Sequence, residues 1–177
     1  MNKFAMTAAT AALMLSLSAS ALAASGLGSV TTMSGAGAEA DKAGSVTINT
    51  TMCELELDDA GKIAAVSFDI AQNKVGFDAT GALTGELTGE HPTKKELGDG
   101  YGMKAASGIG KEWFEQAEAL EDWCVGKTVE EVVTMPTYDK GDGHHTQVPD
   151  DVDLKTGCTI DAGSFLDALQ KAADNAK

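Results

Sequence analysis

The feature that most constrains this fold is a stretch of alternating apolar and polar residues, interrupted once by a tight-turn sequence. Apolar side chains occupy every second position on both sides of the turn, at Val46, Ile48, Leu55, Leu57, Val66, Phe68 and Ile70. The turn reads Asp58-Asp59-Ala60-Gly61, residues typical of a connection between two strands. Alternation with a period of two is the pattern of a strand with one buried face. The sequence therefore predicts an antiparallel β-hairpin.

The alternation changes phase within the first of these strands. Apolar residues hold even positions before Met52 and Cys53 and odd positions after them. An extra residue in a strand shifts the phase in this way, so we expect a β-bulge there. Upstream, residues 25–44 are rich in Gly, Ala and Ser and contain only a short candidate strand, 28–33. We therefore expect residues 25–44 to be a flexible segment before the domain.

Helical periodicity replaces this pattern in the second half of the chain. Between residues 103 and 124 the apolar residues recur every three or four positions, at Ala106, Ile109, Trp113, Ala117, Leu120 and Cys124. This spacing predicts one amphipathic helix, and Gly126 suits the position just beyond its end. Residues 128–131, Thr-Val-Glu-Glu, have the form of a capping box, which predicts a short second helix before Pro136.

A final amphipathic helix is predicted between Asp161, its expected N-cap, and Ala173. Strands therefore cluster early in the chain and helices cluster late. This order favours an α+β fold, in which a twisted antiparallel sheet has helices packed on it and an amphipathic helix ends the domain.

The first 24 residues have the organisation of a signal peptide. A charged start with Lys3 leads into an apolar run over residues 8–17, and Ala21-Leu22-Ala23 matches an A-x-A cleavage site. The apolar run is too short to span a membrane. We therefore expect an exported protein, periplasmic or extracellular, in which residues 45–177 form a single domain.

The chain is strongly acidic, with 27 Asp and Glu against 13 basic residues and a net charge of −14. All 13 basic residues are lysine. A surface of this kind repels nucleic acid and anionic lipid. The chain also lacks arginine, the side chain that clamps phosphate in a bidentate way, so a bound phosphate would depend on lysines, hydroxyls and backbone N–H groups.

Cysteine and histidine spacing argues against a metal centre. Cys53, Cys124 and Cys158 leave open one disulfide with a free thiol or three free thiols, and no C-x-x-C or zinc-ligand spacing is present. His144-His145 lies in an acidic stretch that we expect to be a solvated loop rather than a metal site. No nucleophile stands near a base in a recognisable pattern, so no catalytic residue is predicted.

The run Asp153-Leu-Lys-Thr156-Gly157-Cys158-Thr159 precedes the final helix and is the strongest candidate for a binding site. A helix N-terminus presents unpaired backbone N–H groups that favour phosphate. Gly157 permits close approach to the backbone, and Thr156 and Thr159 supply hydroxyls. The alternative is an ordinary turn in which these hydroxyls bond the local backbone.

This run resembles the Asp-x-x-Ser/Thr-Gly-Ala-Ser/Thr signature of FMN-binding domains, which carry a flavin through a phosphoester bond. Two further segments are similar to that family: the hairpin sequence Asp59-Ala-Gly-Lys-Ile63, and Thr159-Ile160 followed by the closing helix. The chain also resembles a group of exported bacterial proteins that share its Tyr-Gly-Met-Lys and Glu-Trp-Phe-Glu-Gln-Ala segments. The resemblance spans residues 44–173.

The resemblance implies a role for each residue of the run. Thr159 would carry FMN, Gly157 and Thr156 would form the turn, and Asp153 would start the motif. Cys158 stands beside the acceptor hydroxyl, where the family has alanine. An FMN transferase, using FAD as donor and a divalent cation, would attach the cofactor.

For the flavin ring, Tyr101 in the glycine-rich turn 98–102 is the candidate contact. The implied function is an exported electron carrier, whose FMN exchanges electrons with a redox partner that the sequence does not identify. The alternative is a secreted or envelope binding domain that keeps the fold without a flavin. Either of these is favoured over an enzyme that acts alone.

Overall fold

A four-stranded antiparallel sheet forms the framework of the protein in the computed structural model, which describes residues 22–85 and 87–177. The strands lie side by side in chain order: β1 (Leu22–Ala36), β2 (Gly44–Asp58), β3 (Ile63–Phe77) and the short β4 (Leu83–Thr84). The helices of the described part are α1 (Lys94–Leu97), α2 (Trp113–Cys124), α3 (Val129–Val133) and α4 (Gly163–Asp174). A 3₁₀ turn (Gly98–Tyr101) follows α1, and a two-stranded ribbon, β5 (Thr137–Tyr138) and β6 (Val148–Pro149), precedes α4. The predicted α+β class is confirmed.

The predicted hairpin consists of β2 and β3. Asp58 closes its turn, because one carboxylate oxygen accepts the backbone N–H groups of Ala60 and Lys62, each at 2.9 Å. The predicted bulge at Met52 and Cys53 is wrong, since the two strands stay in register through both residues.

The phase changes because the apolar residues lie on one face of β2 in its first half and on the opposite face in its second half. Cys53 and Leu55 lie in the core. Val46 and Ile48 have the opposite parity in the same unbroken strand, so their side chains lie on the other face of the sheet. A strand with apolar residues on different faces at its two ends has the same sequence pattern as a bulged strand. The pattern alone does not separate the two.

Residues 25–36 belong to strand β1 and are not part of a flexible segment. β1 pairs with β2 without a break from Ala24 to Ala36, well beyond the short strand predicted over 28–33. The small residues here serve packing rather than flexibility, because Gly26 and Gly28 lie directly against the backbone of α4.

Helices α2 and α4 pack on the sheet and form the core with it. Phe165 of α4 lies between two other buried rings: its centroid is 5.1 Å from that of Phe68 and 6.0 Å from that of Trp113. Further large side chains of the core are Leu55, Ile63, Leu120 and Leu169. Removing this apolar surface from water is the main driving force for the fold.

Helix α2 begins at Trp113 and not near residue 103, as predicted. Both carboxylate oxygens of Glu112 accept backbone N–H groups from the preceding loop, those of Met103 at 2.8 Å and Lys104 at 2.9 Å. These bonds hold residues 103–110 in turns. A contact of this kind replaces helical hydrogen bonds, so the apolar spacing of the loop does not become a helix.

The other two helices start close to their predicted positions. The Thr128 capping box is confirmed: its hydroxyl accepts the Glu131 N–H, and the Glu131 carboxylate accepts the Thr128 N–H. α4 begins at Gly163 with Ala162 as N-cap, so Asp161 lies one position further out than predicted. Its carboxylate still accepts the Gly163 N–H at 3.0 Å.

Most of the predicted signal peptide, residues 1–21, lies outside the described residues. Export is therefore still a prediction from the sequence. None of the helices in the described part of the chain is long and apolar enough to cross a membrane.

Gly28→Ala is expected to destabilise the fold because α4 leaves no room for a side chain. A Cβ atom at this position would lie 2.0 Å from the carbonyl oxygen of Ala168. Backbone must move to relieve the clash, which lowers the free energy of unfolding by about 1–3 kcal/mol. Gly37→Ala is the matched control, since nothing lies within 4 Å of its Cβ position. Urea unfolding measures both variants, and equal midpoints would contradict this packing.

Candidate functional site

The run Asp153–Thr159 lies between β6 and α4, and residues 160–162 separate it from the helix. We call these seven residues the acceptor turn. Asp153 and Thr156 are exposed, and the Thr156 hydroxyl lies 3.5 Å from the Asp153 carbonyl oxygen. Gly157 and Thr159 are half-buried. Thr159, at the end of the turn, is therefore partly open to solvent.

Backbone N–H groups of the acceptor turn are already hydrogen-bonded within the protein. Those of Gly157 and Cys158 donate to the carbonyl oxygen of Leu154, at 2.8 and 2.9 Å. That of Thr159 donates to the side chain of Gln116 at 2.9 Å. These three N–H groups are therefore not free in the structure, and phosphate binding by the helix N-terminus stays a prediction.

Two lysines supply positive charge beside the acceptor turn. The ammonium group of Lys140 donates to the carbonyl oxygen of Thr159 at 2.7 Å. Nζ of Lys111 lies 3.8 Å from the position that a Cβ atom of Gly157 would take. In a chain of net charge −14, two lysine cations beside the acceptor turn favour an anionic group at this turn.

Gln116 of α2 holds the acceptor turn in place. Its side chain is fully buried, and Oε1 accepts both the N–H and, at 3.2 Å, the hydroxyl of Thr159. Nε2 donates to the Ser107 hydroxyl at 3.1 Å and to the Lys111 carbonyl at 3.2 Å. No motif in the sequence singles out this residue. Its available signal is an amide beside Ala117, on the apolar face of a predicted helix.

The thiol of Cys158 lies in the core. Cys158, Cys124 and Cys53 are all buried and unpaired, which corresponds to the alternative with three free thiols. Burial raises the pKa of Cys158 to about 11 and the pKa values of Cys53 and Cys124 to about 12. At neutral pH all three thiols are therefore protonated, and thiolate is the reactive form.

A cavity of about 650 Å³ opens next to the acceptor turn, between the sheet and the start of α4. Ile160 and Asp161, the two residues that follow Thr159, lie on its wall. Cavities of about 300–1,000 Å³ are typical of small-molecule and cofactor sites. The acceptor hydroxyl is thus one residue away from a cavity of suitable size.

One wall of this cavity is aromatic. Tyr101 and Trp113 line it, with their ring centroids 6.5 Å apart. Nζ of Lys94 lies 4.8 Å from the Tyr101 centroid and 5.2 Å from the Trp113 centroid. Tyr101 is thus on the cavity wall, while the other predicted site residues lie in the neighbouring acceptor turn.

A groove of about 730 Å³ lies beside the C-terminal end of α4. Met52, Glu54 and Lys171 contribute to its wall, and no aromatic side chain is among the described residues that line it. Its lining does not include the acceptor turn. The 650 Å³ cavity, unlike this groove, therefore combines the two features that a planar ligand attached at Thr159 requires, which are aromatic rings and proximity to Thr159.

The acidic loop that carries His144 and His145 is packed over the 650 Å³ cavity, and both histidines line it. The N–H groups of Thr146 and Gln147 donate to the Asp161 carboxylate at 2.8 and 2.9 Å, which fixes the loop to the start of α4. The loop was expected to be solvated, and the structure places part of it against the candidate site. No group of His, Cys, Asp or Glu among the described residues is arranged to hold a metal ion.

Part of the chain is similar to a redox-related protein. The chlorophenol reductase of Desulfitobacterium hafniense is 38% identical to it over 96 residues. The match covers 48% of this chain and 29% of the relative, so the chain spans less than a third of that protein's length. No protein-family profile matches the chain, and no solved structure matches it.

Gln116→Met is expected to lower the free energy of unfolding by about 1–3 kcal/mol, because the Thr159 N–H loses its buried acceptor. Methionine has a similar length but forms none of the amide's hydrogen bonds. Glu118→Met is the control, since Glu118 is an exposed residue of the same helix. Urea unfolding compares the two variants. A loss for Gln116→Met no larger than for Glu118→Met would contradict the anchoring role.

The buried thiols are expected to weaken the fold at alkaline pH. Their pKa is 9.0 without the protein environment, and about 11 for Cys158 in the fold. The unfolded state therefore loses protons first, and the stability that the thiol contributes is complete below pH 9.0 and falls as the pH rises toward 11. Urea unfolding at about pH 8 and pH 10 should show a smaller fall for Cys158→Ala than for the wild type. Equal falls would contradict the burial of this thiol.

Proposed function

We propose that the mature protein is an exported electron carrier that holds FMN covalently through Thr159. One observation carries the proposal: the half-buried Thr159, in a turn that has Lys140 and Lys111 beside it, lies one residue from the wall of an aromatic-lined cavity. The sequence signature around Thr159 supports it. So does the partial similarity to a protein named chlorophenol reductase, because that name describes redox chemistry.

The phosphate end of FMN fits the acceptor turn. Lys140 and Lys111 supply the positive charge that arginine supplies in many phosphate sites. A phosphoester at Thr159 replaces the hydroxyl hydrogen bond to Gln116 but leaves the backbone N–H bond, so the turn keeps its anchor. Cys158 takes no space from the phosphate, because its side chain is buried in the core.

The ring of FMN fits the neighbouring cavity. The half-buried Tyr101 offers an aromatic ring to a planar ligand, the buried Trp113 lies next to it, and Lys94 adds a positive charge to the same wall. Asn49 and Gln72 offer amide groups from the sheet. When bound there, FMN supplies the transfer of one or two electrons, while the chain orients the ring and limits its contact with water.

Covalent attachment requires a partner, an FMN transferase that uses FAD as donor. Export follows from the predicted signal peptide and is part of this proposal. The net charge of −14 favours a redox partner with a basic docking surface, since opposite charges increase the rate of encounter. The same charge disfavours nucleic acid as a partner.

A binding domain that keeps the fold without a flavin is the second candidate function. One observation favours it. The hydroxyl and N–H of Thr159, and the N–H groups of Gly157 and Cys158, are all hydrogen-bonded within the protein, so the acceptor turn is complete without a ligand.

Expression with the signal peptide, in a host that has an FMN transferase, is expected to give protein that fluoresces under ultraviolet light after denaturing electrophoresis. Thr159→Ala should abolish this fluorescence, because the phosphoester has no acceptor oxygen. Thr159→Ser should retain it, because the hydroxyl remains. Lys140→Gln should reduce the fraction of protein that is labelled, since a charge beside the phosphate is lost.

Lys155→Gln is the matched control for Lys140→Gln. Lys155 belongs to the acceptor turn, but its ammonium group lies 3.8 Å from Asp150 rather than at Thr159. Colourless wild-type protein that also fails to bind added FMN would contradict the proposal and support the second candidate. Fluorescence that persists in Thr159→Ala would contradict attachment at this residue.

A further inference from the structure

An imidazole and a carboxylate form a fixed pair on the wall of the cavity. Nδ1 of His145 lies 2.7 Å from Oδ2 of Asp142. The other oxygen of Asp142 accepts the backbone N–H groups of His144 at 2.9 Å and His145 at 2.8 Å. These hydrogen bonds hold the pKa of Asp142 well below its usual range, so it is a carboxylate. A carboxylate at Nδ1 fixes the orientation of the ring and leaves Nε2 as the nitrogen that exchanges a proton.

The loop that carries this pair is attached to the acceptor turn as well as to α4. The Lys140 N–H donates to the carbonyl oxygen of His145 at 2.9 Å, and the Lys140 ammonium group donates to Thr159. His145 lines the cavity, and 39% of its side chain is exposed. Its ring therefore has access to the cavity and to bulk water, as a group that relays protons requires.

We propose that His145, positioned by Asp142, is the proton donor for reduction of the ligand held in this cavity. The inference rests on the proposed function, which is electron transfer, and it names the source of the proton that accompanies the electrons. With a flavin in the cavity that had received two electrons from a reduced redox protein, the imidazolium form of His145 would give its Nε2 proton to a ring nitrogen of that flavin and become a neutral imidazole. The neutral imidazole then takes a proton from water. Asp142 stays ionised and orients the ring.

The other charged and titratable groups on the cavity wall come from each element around it. Lys94 of α1 and Tyr101 of the 3₁₀ turn lie on one side, and Asp161 and Asp167 lie at the start of α4. His144 is the remaining titratable group of the loop on this wall. The sheet contributes uncharged side chains, Asn49, Thr51 and Gln72. Among these side chains, imidazole is the one that most often transfers protons in enzymes.

The rate of reduction at different pH values tests the proposal. FMN-loaded protein is mixed anaerobically with dithionite, and the loss of flavin absorbance is followed over about pH 5–9. His145→Gln is expected to slow the reduction by about 10²-fold and to remove the pH dependence that histidine gives. Added imidazole should restore much of the lost rate in His145→Gln, because a free imidazolium ion in the cavity replaces the missing proton donor.

Two variants separate proton donation from a structural role. His91→Gln is the matched control: this exposed histidine is not among the described residues that line the cavity, so its rate and pH profile should match the wild type. Asp142→Asn keeps the imidazole but loses its orienting carboxylate, so it should slow reduction less than His145→Gln and respond little to imidazole.

The outcomes distinguish this inference from the function on which it rests. His145→Gln protein that carries FMN, is reduced at the wild-type rate and keeps the wild-type pH profile would overturn the proton-donor role alone. A slow His145→Gln protein that imidazole does not rescue would also overturn it, since loss of structure explains that result. Wild-type protein that takes up no FMN would overturn the proposed function and this inference with it.

Discussion

The side chain of Gln116 in α2 links two segments that are distant in sequence, the loop before this helix and the acceptor turn. It bonds Ser107 and Lys111 in the loop before α2, and Thr159 in the acceptor turn. Trp113, on the cavity wall, lies three residues before Gln116 and therefore on the same face of α2. One helix thus positions both parts of the candidate site, the aromatic wall and the hydroxyl. The distance between them is fixed because the amide is buried and all its polar atoms are bonded.

The second constraint is the close contact between β1 and α4. Gly26 and Gly28 bring the helix backbone against the strand, so the start of α4 lies over the sheet and forms one end of the cavity. Asp161 then links this end to the acidic loop. Lysines lie in the same region although the chain is acidic overall. Lys94 lies on the cavity wall, and Lys111 and Lys140 lie beside the acceptor turn. These cations would attract an anionic cofactor.

Local patterns in the sequence predicted the elements that depend on near neighbours. The β2–β3 hairpin, the Thr128 capping box and the position of α4 all have such signals. Contacts distant in sequence decided the rest. In the sequence, Gly26 and Gly28 are typical of a flexible segment, but in the fold α4 packs directly against them. The apolar spacing of the loop before α2 predicts a helix, but hydrogen bonds to Glu112 hold this loop in turns. Likewise, a motif specifies a residue type but not the direction of its side chain, so only the fold shows that Cys158 lies in the core.

The sequence predicts which residue types form the candidate site better than it predicts how they are arranged. The sequence singles out Thr159 and Tyr101; Tyr101 lines the cavity, and Thr159 lies one residue before Ile160 on its wall. Backbone N–H groups were expected to hold the phosphate, and they are used within the turn instead. Lysines take that role in the proposed site, and the histidines of the acidic loop come to the cavity through tertiary contacts that no local pattern shows.

The central claim is that Thr159 carries the cofactor, and peptide mass spectrometry tests it most directly. Mature protein isolated from a host with an FMN transferase is digested, and the peptide that contains Thr159 is fragmented. We expect the mass of an FMN phosphoester on this peptide, with fragment ions that place it on Thr159 and not on Thr156. An unmodified peptide, from a host whose own flavin-carrying proteins are labelled, would contradict the claim.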